Sequence, residues 1–152
     1  MIHVALIEPE IPWNTGNVGR TCLAAGAQLH LVRPFGFSLN EQAVRRAGLD
    51  YWEHVKPVIH DSYEAFMDAA TPLGTAFALE TYGARSLYEC TFPEDVVLVF
   101  GRERLGLPPA VKEAYKDRCF KIPMFSEHVR SLNLSTSVAI TVYEAIRQRG
   151  RS

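Results

Sequence analysis

Short apolar runs alternate along the chain with more polar segments, and this pattern predicts alternating strands and helices. Continuous apolar runs at 2–7, 75–79 and 96–100 are typical of strands that are buried on both faces. Weaker apolar runs predict three further strands, at 29–32, 55–59 and 120–122. Strands that alternate with helices favour an α/β fold, in which a parallel sheet is flanked by helices on both faces.

Residues that start or stop helices divide the segments between the strands. A helix is predicted over 18–25, with Asn14 or Thr15 as its cap and Gly26 as its end, after a loop that begins beyond the first strand. Capping-box spacing predicts another helix over 38–46. Further helices are predicted from Asp61 or Ser62 to about Ala70, after Pro108 and Pro109, and from about Leu132 to Gln148.

The last predicted helix is apolar on two sides. One side carries Leu134, Val138, Val142 and Ala145, and the other carries Ala139, Ile140, Tyr143 and Ile146. A helix that is apolar nearly all round requires burial on both sides. The second burying surface is either another subunit, which would make a symmetric homodimer, or the interior of the same chain.

Composition favours one globular domain over 1–152, because the chain is 47% hydrophobic and long enough for one sizeable core. No apolar run reaches the length of a membrane span, so we expect a soluble protein without a membrane segment. Cys22, Cys90 and Cys119 lie far apart without a CxxC motif, which predicts no disulfide or zinc site and fits a reducing cytoplasm. The five histidines lack metal-ligand spacing and are expected to be ordinary surface or partly buried residues.

Two segments at predicted strand-to-helix junctions carry candidate chemistry. The segment 12–20 has glycines near a helix start and a forked cation in Arg20, which favours phosphate or ribose recognition and is equally compatible with a capped turn. The segment 99–108 places Gly101 and Gly106 around Arg-Glu-Arg at the end of the most apolar strand. Because one glycine suffices for most turns, the pair favours a ligand site at this sheet edge.

A third segment, 122–135, joins the last predicted strand to the last helix. Its apolar residues can wall a slot for an aromatic base, while Ser131 supplies a polar contact that fixes orientation. As an alternative, Ser131 and Asn133 are helix caps, and both roles can coexist. The net charge of −1 gives no general attraction to nucleic acid, so RNA binding is not indicated by composition.

Taken in order, the three segments resemble the three motifs of the TrmH-type branch of SPOUT methyltransferases, and most closely its tRNA wobble-position 2′-O-methyltransferases. The stretches 8–12, 46–51 and 131–135 share the resemblance, which therefore spans nearly the whole chain. It implies a parallel α/β fold with a C-terminal trefoil knot, a topology that ordinary connection rules exclude. It also implies a homodimer that transfers a methyl group from S-adenosylmethionine to the ribose 2′-oxygen of cytidine or uridine at the wobble position of tRNA.

The resemblance assigns roles to individual residues. It implies that S-adenosylmethionine binds near Leu79, Gly101, Ile122 and Ser131, with Met124 and Leu134 lining the pocket. The positions associated with catalysis are Arg20, Glu103, Ser131 and Asn133. The candidate RNA contacts are Asn14, Arg20, Arg46, Arg130 and Tyr143. Because a guanidinium rarely gives up its proton, we expect Arg20 to bind a phosphate or stabilise oxyanion charge.

Other interpretations stay open at this point. The same chemistry at another tRNA position or on rRNA fits the motifs, as does an RNA- or nucleotide-binding module without catalysis. Tyr143 is as well explained by a core or subunit-interface aromatic as by an RNA contact. The loop 125–130 carries one residue more than the commonest form of the subfamily, which leaves the placement of Arg130 open.

Overall fold

The computed structural model describes residues 1–39 and 51–150, and a seven-stranded sheet forms its centre. The sheet order is β3-β2-β1-β6-β4-β7-β5, and every paired strand is parallel to its neighbour. The strands are β1 Ile2–Ile7, β2 Gln28–Val32, β3 Val58–His60, β4 Thr75–Leu79, β5 Arg85–Ser86, β6 Val96–Phe100 and β7 Cys119–Lys121. The three continuous apolar runs form β1, β4 and β6, which lie side by side in the middle of the sheet.

Helices cover both faces of the sheet, as the alternating pattern predicts. They are α1 Pro12–Ala25, α2 Trp52–Val55, α3 Tyr63–Ala70, α4 Pro109–Ala114 and α5 Leu134–Gln148. On one face, α1 and α5 contribute Val18 and Val142 to the core, and on the other, α3 and α4 contribute Phe66 and Val111. Ser62 caps α3, its side chain accepting a hydrogen bond from the Ala65 N–H at 3.1 Å. No helix among the described residues is long and apolar enough to cross a bilayer. The trefoil knot stays a prediction.

Helix α1 begins at Pro12, six residues before its predicted start, so the part of the predicted loop from Pro12 onward is helical instead. Pro12 occupies the first helical turn, where a backbone N–H would have no partner within the helix, so the N–H that proline lacks is not needed. Asn14 and Thr15 are buried inside the helix instead of capping it. A Cβ on Gly19 would press on the Trp52 ring, so this glycine allows α1 and α2 to pack closely. Gly26 ends the helix in a left-handed conformation, as predicted.

Several smaller boundaries also differ from the prediction. Val55 ends α2 and is not part of a strand, because Lys56 takes a positive φ and Pro57 follows it. Strand β7 is shifted by one residue from 120–122, and α5 begins at Leu134 because Asn133 caps it. Strand β5, with two residues, was not predicted. The predicted helix over 38–46 lies almost wholly outside the described residues.

The two apolar sides of α5 have different environments in the single chain. Val138, Val142 and Ala145, on the first side, are fully buried. On the second side, Ile140 and Ile146 are half-buried, and Tyr143 is 50% exposed. The first side therefore fills the core of its own chain, whereas the second remains partly open to solvent.

Three histidines on neighbouring strands form a hydrogen-bonded ladder. His3 Nδ1 lies 3.0 Å from His30 Nε2, and His30 Nδ1 lies 2.9 Å from His60 Nε2. All three side chains are buried, and Phe66 packs edge-on against His30 and His60. The expectation of ordinary, partly exposed histidines is wrong here, because strand register brings the three together. Each bond needs one N–H and one bare nitrogen, so neutral imidazoles satisfy the ladder.

We expect this ladder to make the fold sensitive to acid. Burial and the neighbouring imidazoles of His3 and His60 lower the pKa of His30 from 6.5 to about 4. Below about pH 6.5 the unfolded chain therefore takes up a proton that the folded chain does not bind until about pH 4. As the pH falls from about 6.5 to about 4, the free energy of unfolding should therefore decrease by about 3 kcal/mol.

Replacing His30 with glutamine tests this expectation, because the amide still donates and accepts hydrogen bonds and does not titrate. Urea unfolding from about pH 7.5 down to about pH 4.5 should show a flatter loss of stability in His30→Gln than in wild type. His128→Gln, which removes a histidine from an exposed loop, should keep the wild-type slope. A wild-type slope in His30→Gln would show that the ladder does not control acid sensitivity.

Candidate active site

A pocket of about 250 Å³ opens at the carboxyl ends of β4, β6 and β7, which are neighbours in the sheet. Leu79 and Phe100 are the last residues of β4 and β6, and Ile122 directly follows β7. The first turns of α5 close another side through Leu134 and Ser137. Open parallel sheets bind ligands at this edge, so the pocket lies where a ligand site is expected.

A tight turn after β6 forms one wall of the pocket. Arg102 and Gly106 exchange two backbone hydrogen bonds of 3.0 Å, and Arg102 Nε donates to the Gly106 carbonyl at 2.9 Å. Gly106 has a φ of +68°, a conformation that favours glycine, and a Cβ on Gly101 would overlap the backbone of Gly106 and Leu107. The turn therefore needs both glycines for its own geometry, so the pair does not by itself indicate a ligand.

Glu80 and Tyr82 line the pocket just after β4, although neither was predicted as a site residue from the sequence. The Glu80 carboxylate accepts a hydrogen bond from the Leu107 N–H at 2.5 Å and so holds the far end of the turn. Burial and the Glu80 carboxylate raise the pKa of Tyr82, so its phenol stays protonated. Their position directly after a buried strand, at the ligand-binding edge, is the signal that would have found them.

The Glu103 carboxylate joins this turn to the segment before α1. It accepts hydrogen bonds from the N–H groups of Glu10 at 2.8 Å and Ile11 at 3.0 Å. In return, the Glu10 carboxylate accepts one from the Arg104 N–H at 3.0 Å. Ile11 is the N-cap of α1 and offers no side-chain cap, so Glu103 brings the negative charge that a helix start favours. Glu103 therefore binds backbone, as a positioning residue does.

Asn133 joins α5 to α1. Its Oδ1 caps α5 by accepting a hydrogen bond from the Ser135 N–H at 2.9 Å, and its Nδ2 donates to Asn14 Oδ1 at 3.0 Å. Asn14 is only 2% exposed. The prediction that Asn14 contacts RNA conflicts with this burial, because the side chain is used to hold the two helices together.

Removing the Asn133 amide should destabilise the protein by about 2 to 3 kcal/mol, since Asn133→Ala loses a helix cap and leaves Asn14 without its partner. Asn133→Ser keeps a capping oxygen and is too short to bridge to Asn14, so it should recover about 1 kcal/mol. The free energies of unfolding in urea measure both effects. Equal stability of the alanine and serine variants would exclude the capping contribution.

The pocket brings together all the residues predicted to hold the cofactor. These are Leu79, Gly101, Ile122, Met124, Ser131 and Leu134. Glu103 and Arg130 line the same pocket. Two of the three segments with candidate chemistry, 99–108 and 122–135, therefore form one site together with the residues at the end of β4.

Other predicted residues lie away from this pocket. Arg20 is exposed on α1, with its guanidinium 5.4 Å from the centroid of the Tyr51 ring, and is not among the described residues that line the pocket. Tyr143 lies in a separate depression with Met1 and Ile2, at the amino end of β1. Arg46 lies outside the described residues. In one chain, Arg20 and Tyr143 therefore do not face the pocket.

A protein and a solved structure are similar to this chain over nearly its whole length. A tRNA (cytidine(34)-2′-O)-methyltransferase from Polaromonas sp. is 47% identical over 152 residues, which cover 99% of this chain and 92% of that protein. A solved structure described as giving structural insights into 2′-OH methylation of C/U34 on tRNA is 48% identical, with a TM-score of 0.93. The match covers 99% of this chain and 98% of that one.

A more distant structure shares the fold. The SpoU methyltransferase AviRb from Streptomyces viridochromogenes, in complex with the cofactor AdoMet, is 26% identical with a TM-score of 0.82. This match covers 97% of the present chain and 57% of AviRb. The family model of the SpoU rRNA methylases matches residues 1–143. This chain therefore belongs to the SpoU rRNA methylase family.

Proposed function

We propose that this chain transfers a methyl group from S-adenosylmethionine to the ribose 2′-oxygen of nucleotide 34, cytidine or uridine, in the anticodon loop of tRNA. The observation that carries the proposal is the 48% identity and TM-score of 0.93 to the structure described for C/U34 methylation. The Polaromonas relative is named for cytidine at the same position. A tRNA substrate also supports a cytoplasmic location.

The pocket suits S-adenosylmethionine chemically. Leu79, Ile122 and Leu134 offer apolar surface to a flat adenine, and Ser131 and the backbone near Gly101 offer polar contacts that fix orientation. The same cofactor is bound in AviRb, a relative with this fold. When bound, the cofactor supplies a methyl group on a positively charged sulfonium, which is a strong electrophile. No metal is needed for this chemistry.

The protein must align the acceptor oxygen with the methyl group, because the displacement is in-line and a ribose hydroxyl is a poor nucleophile near neutral pH. We assign Arg20 to bind a phosphate or to stabilise the negative charge that develops on the oxygen. Solvent or a phosphate oxygen takes the proton. Glu103 and Asn133 position the segments around the pocket through their bonds to the Ile11 backbone and to Asn14.

We propose a homodimer as the active form. Arg20 lies outside the pocket of its own chain, so its role requires that α1 of a second subunit approach the pocket. The partly open side of α5, with Tyr143 at its centre, and the exposed Trp13 and Leu23 of α1 offer apolar surface for this contact. Arg46, Arg130 and Tyr143 remain our candidates for RNA contact.

Methylation of unmodified tRNA by the purified protein tests the proposal. With S-adenosylmethionine labelled in its methyl group, we expect label at nucleotide 34 and resistance of the adjacent phosphodiester to alkaline hydrolysis, because the 2′-oxygen is blocked. Label at another position of tRNA, or on rRNA, would disprove the assignment of the substrate. Absence of label on all RNA tested would disprove the enzymatic function and favour a binding module.

A further inference from the structure

Phe125 has the most exposed large apolar side chain among the described residues, at 98%. It follows Met124, which lines the pocket, and the chain returns to the pocket at Arg130. Residues 125–129 therefore form a short loop at the rim of the pocket. All five are exposed, and their polar contacts are local: the Ser126 hydroxyl accepts a hydrogen bond from the His128 N–H, and His128 Nε2 lies 3.9 Å from the Glu127 carboxylate.

Nothing in the described part of the chain covers the Phe125 ring. A phenyl ring has no polar group to interact with water, so full exposure is unfavourable in the free protein. Phe125 lies on the same loop that supplies Met124, Arg130 and Ser131 to the pocket wall. An aromatic face at the rim is therefore available to a partner that enters the pocket.

The charges around the pocket favour an anionic partner. The carboxylates of Glu80, Glu103 and Glu10 accept hydrogen bonds from backbone N–H groups. The guanidinium groups of Arg104 and Arg130, which also line the pocket, have no hydrogen bond or ion pair with another described residue. Proteins bind unstacked nucleotides of single-stranded RNA with positively charged side chains and exposed aromatic rings. The two unpaired arginines and the open Phe125 ring provide both.

We propose that the Phe125 ring stacks on the base of the nucleotide whose ribose enters the pocket, an inference that rests on the proposed function. To present its 2′-hydroxyl, that nucleotide must leave the stack of the anticodon loop, and its base loses stacking partners. Phe125 replaces them at the pocket rim, while Arg130 binds an adjacent phosphate. Because every base has a π-face, this contact places the nucleotide without selecting its sequence.

Steady-state kinetics of four variants test the stacking. Phe125→Ala should raise the KM for tRNA at least about 5-fold, the lower end of the effect of losing one stacked base. The dissociation constant of S-adenosylmethionine should stay at the wild-type value. Phe125→Trp should restore the wild-type KM, whereas Phe125→Leu, which is apolar without a π-face, should not. Tyr88→Ala removes an aromatic ring that is 59% exposed outside the pocket and should leave the KM unchanged.

A fluorescence measurement makes the inference testable without turnover. An anticodon stem-loop with pyrrolocytidine, a fluorescent cytidine analogue, at position 34 should be quenched by wild-type protein and not by Phe125→Ala. If wild type quenches it and methylates no RNA, the proposed function fails and the stacking stands. If wild type methylates nucleotide 34 and Phe125→Ala keeps both the KM and the quenching, only the stacking is disproved.

Two further results would also overturn the inference. Equal recovery by leucine and tryptophan would mean that the site needs apolar surface and no stacking. A shift of Phe125→Ala to a smaller species in analytical ultracentrifugation, with wild-type quenching, would assign the ring to a contact with a second copy of the chain.

Discussion

Replacing Arg20 with alanine should lower the turnover of tRNA methylation by about 100- to 1,000-fold, the usual effect of removing one group that stabilises developing negative charge. In the proposed mechanism the reacting oxygen has no dedicated base, so stabilising and aligning it is the main contribution of the protein. Arg20→Lys keeps the charge and loses the planar fork, and we expect it to remain at least about 10-fold slower than wild type. Near-full turnover of Arg20→Lys would disprove the bidentate role.

A second arginine provides a matched control. Arg118 also places its guanidinium over an aromatic ring, at 6.0 Å from the centroid of Tyr115, and does not line the pocket. Arg118→Ala should keep wild-type turnover. The comparison separates the chemical role of Arg20 from the general loss of an exposed positive charge or of a cation–π contact. Single-turnover rates at saturating tRNA are the appropriate measurement, because they isolate the chemical step from RNA binding.

Replacing Gly101 with alanine should weaken S-adenosylmethionine binding by more than about 100-fold. The added methyl group overlaps the backbone of Gly106 and Leu107, and backbone atoms cannot move aside as a flexible side chain can. The turn must open, which displaces the wall that carries Glu103. Isothermal titration with the cofactor measures the loss, and circular dichroism shows whether the sheet and helices remain.

Gly36→Ala is the control for this substitution. Nothing lies within 4 Å of a Cβ built on Gly36, so alanine is accommodated there and cofactor binding should not change. If Gly101→Ala is folded and binds the cofactor as tightly as Gly36→Ala, then the turn is not the wall on which cofactor binding depends.

Arg20→Ala and Gly101→Ala, combined in one sample, test whether Arg20 acts across a dimer. In a mixed dimer, the Arg20→Ala subunit keeps an intact pocket, and the Gly101→Ala subunit supplies the arginine. Random mixing should recover roughly a quarter of wild-type activity, because half of the dimers are mixed and each has one complete site. No recovery after unfolding and refolding the two together would place Arg20 and the pocket in the same chain.

Much of the fold follows from the order of apolar runs. The runs at 2–7, 75–79 and 96–100 are apolar at nearly every position because helices cover both faces of the sheet, and this predicts buried parallel strands without further information. The pocket residues from Leu79 to Leu134 followed from motif resemblance combined with the rule that ligands bind at the carboxyl edge of such sheets.

What the sequence did not reveal depends on contacts between distant residues. The start of α1 was misplaced because no neighbouring side chain caps the helix, and the N–H of its N-cap residue Ile11 is bound by Glu103, about 90 residues further along the chain. Asn14 looks like an exposed cap in sequence, whereas it is buried inside α1 and accepts a hydrogen bond from Asn133. The histidine ladder depends on strand register, which no local spacing encodes. Gly19 and Gly101 are explained by close packing within the protein, whereas the sequence pattern favoured a ligand at Gly101 and left a ligand and a capped turn equally open around Gly19.

Because three distant segments of the chain form the pocket, it can form only late in synthesis. Its walls come from 79–82, 100–106 and 122–137, and the bond between Asn14 and Asn133 ties the first helix to the last. Since chains emerge from the ribosome at about 5–20 residues per second, the sheet strands β1 to β4 are available seconds before the site can close. A nascent or truncated chain that stops before α5 therefore has no complete pocket in which to hold the cofactor.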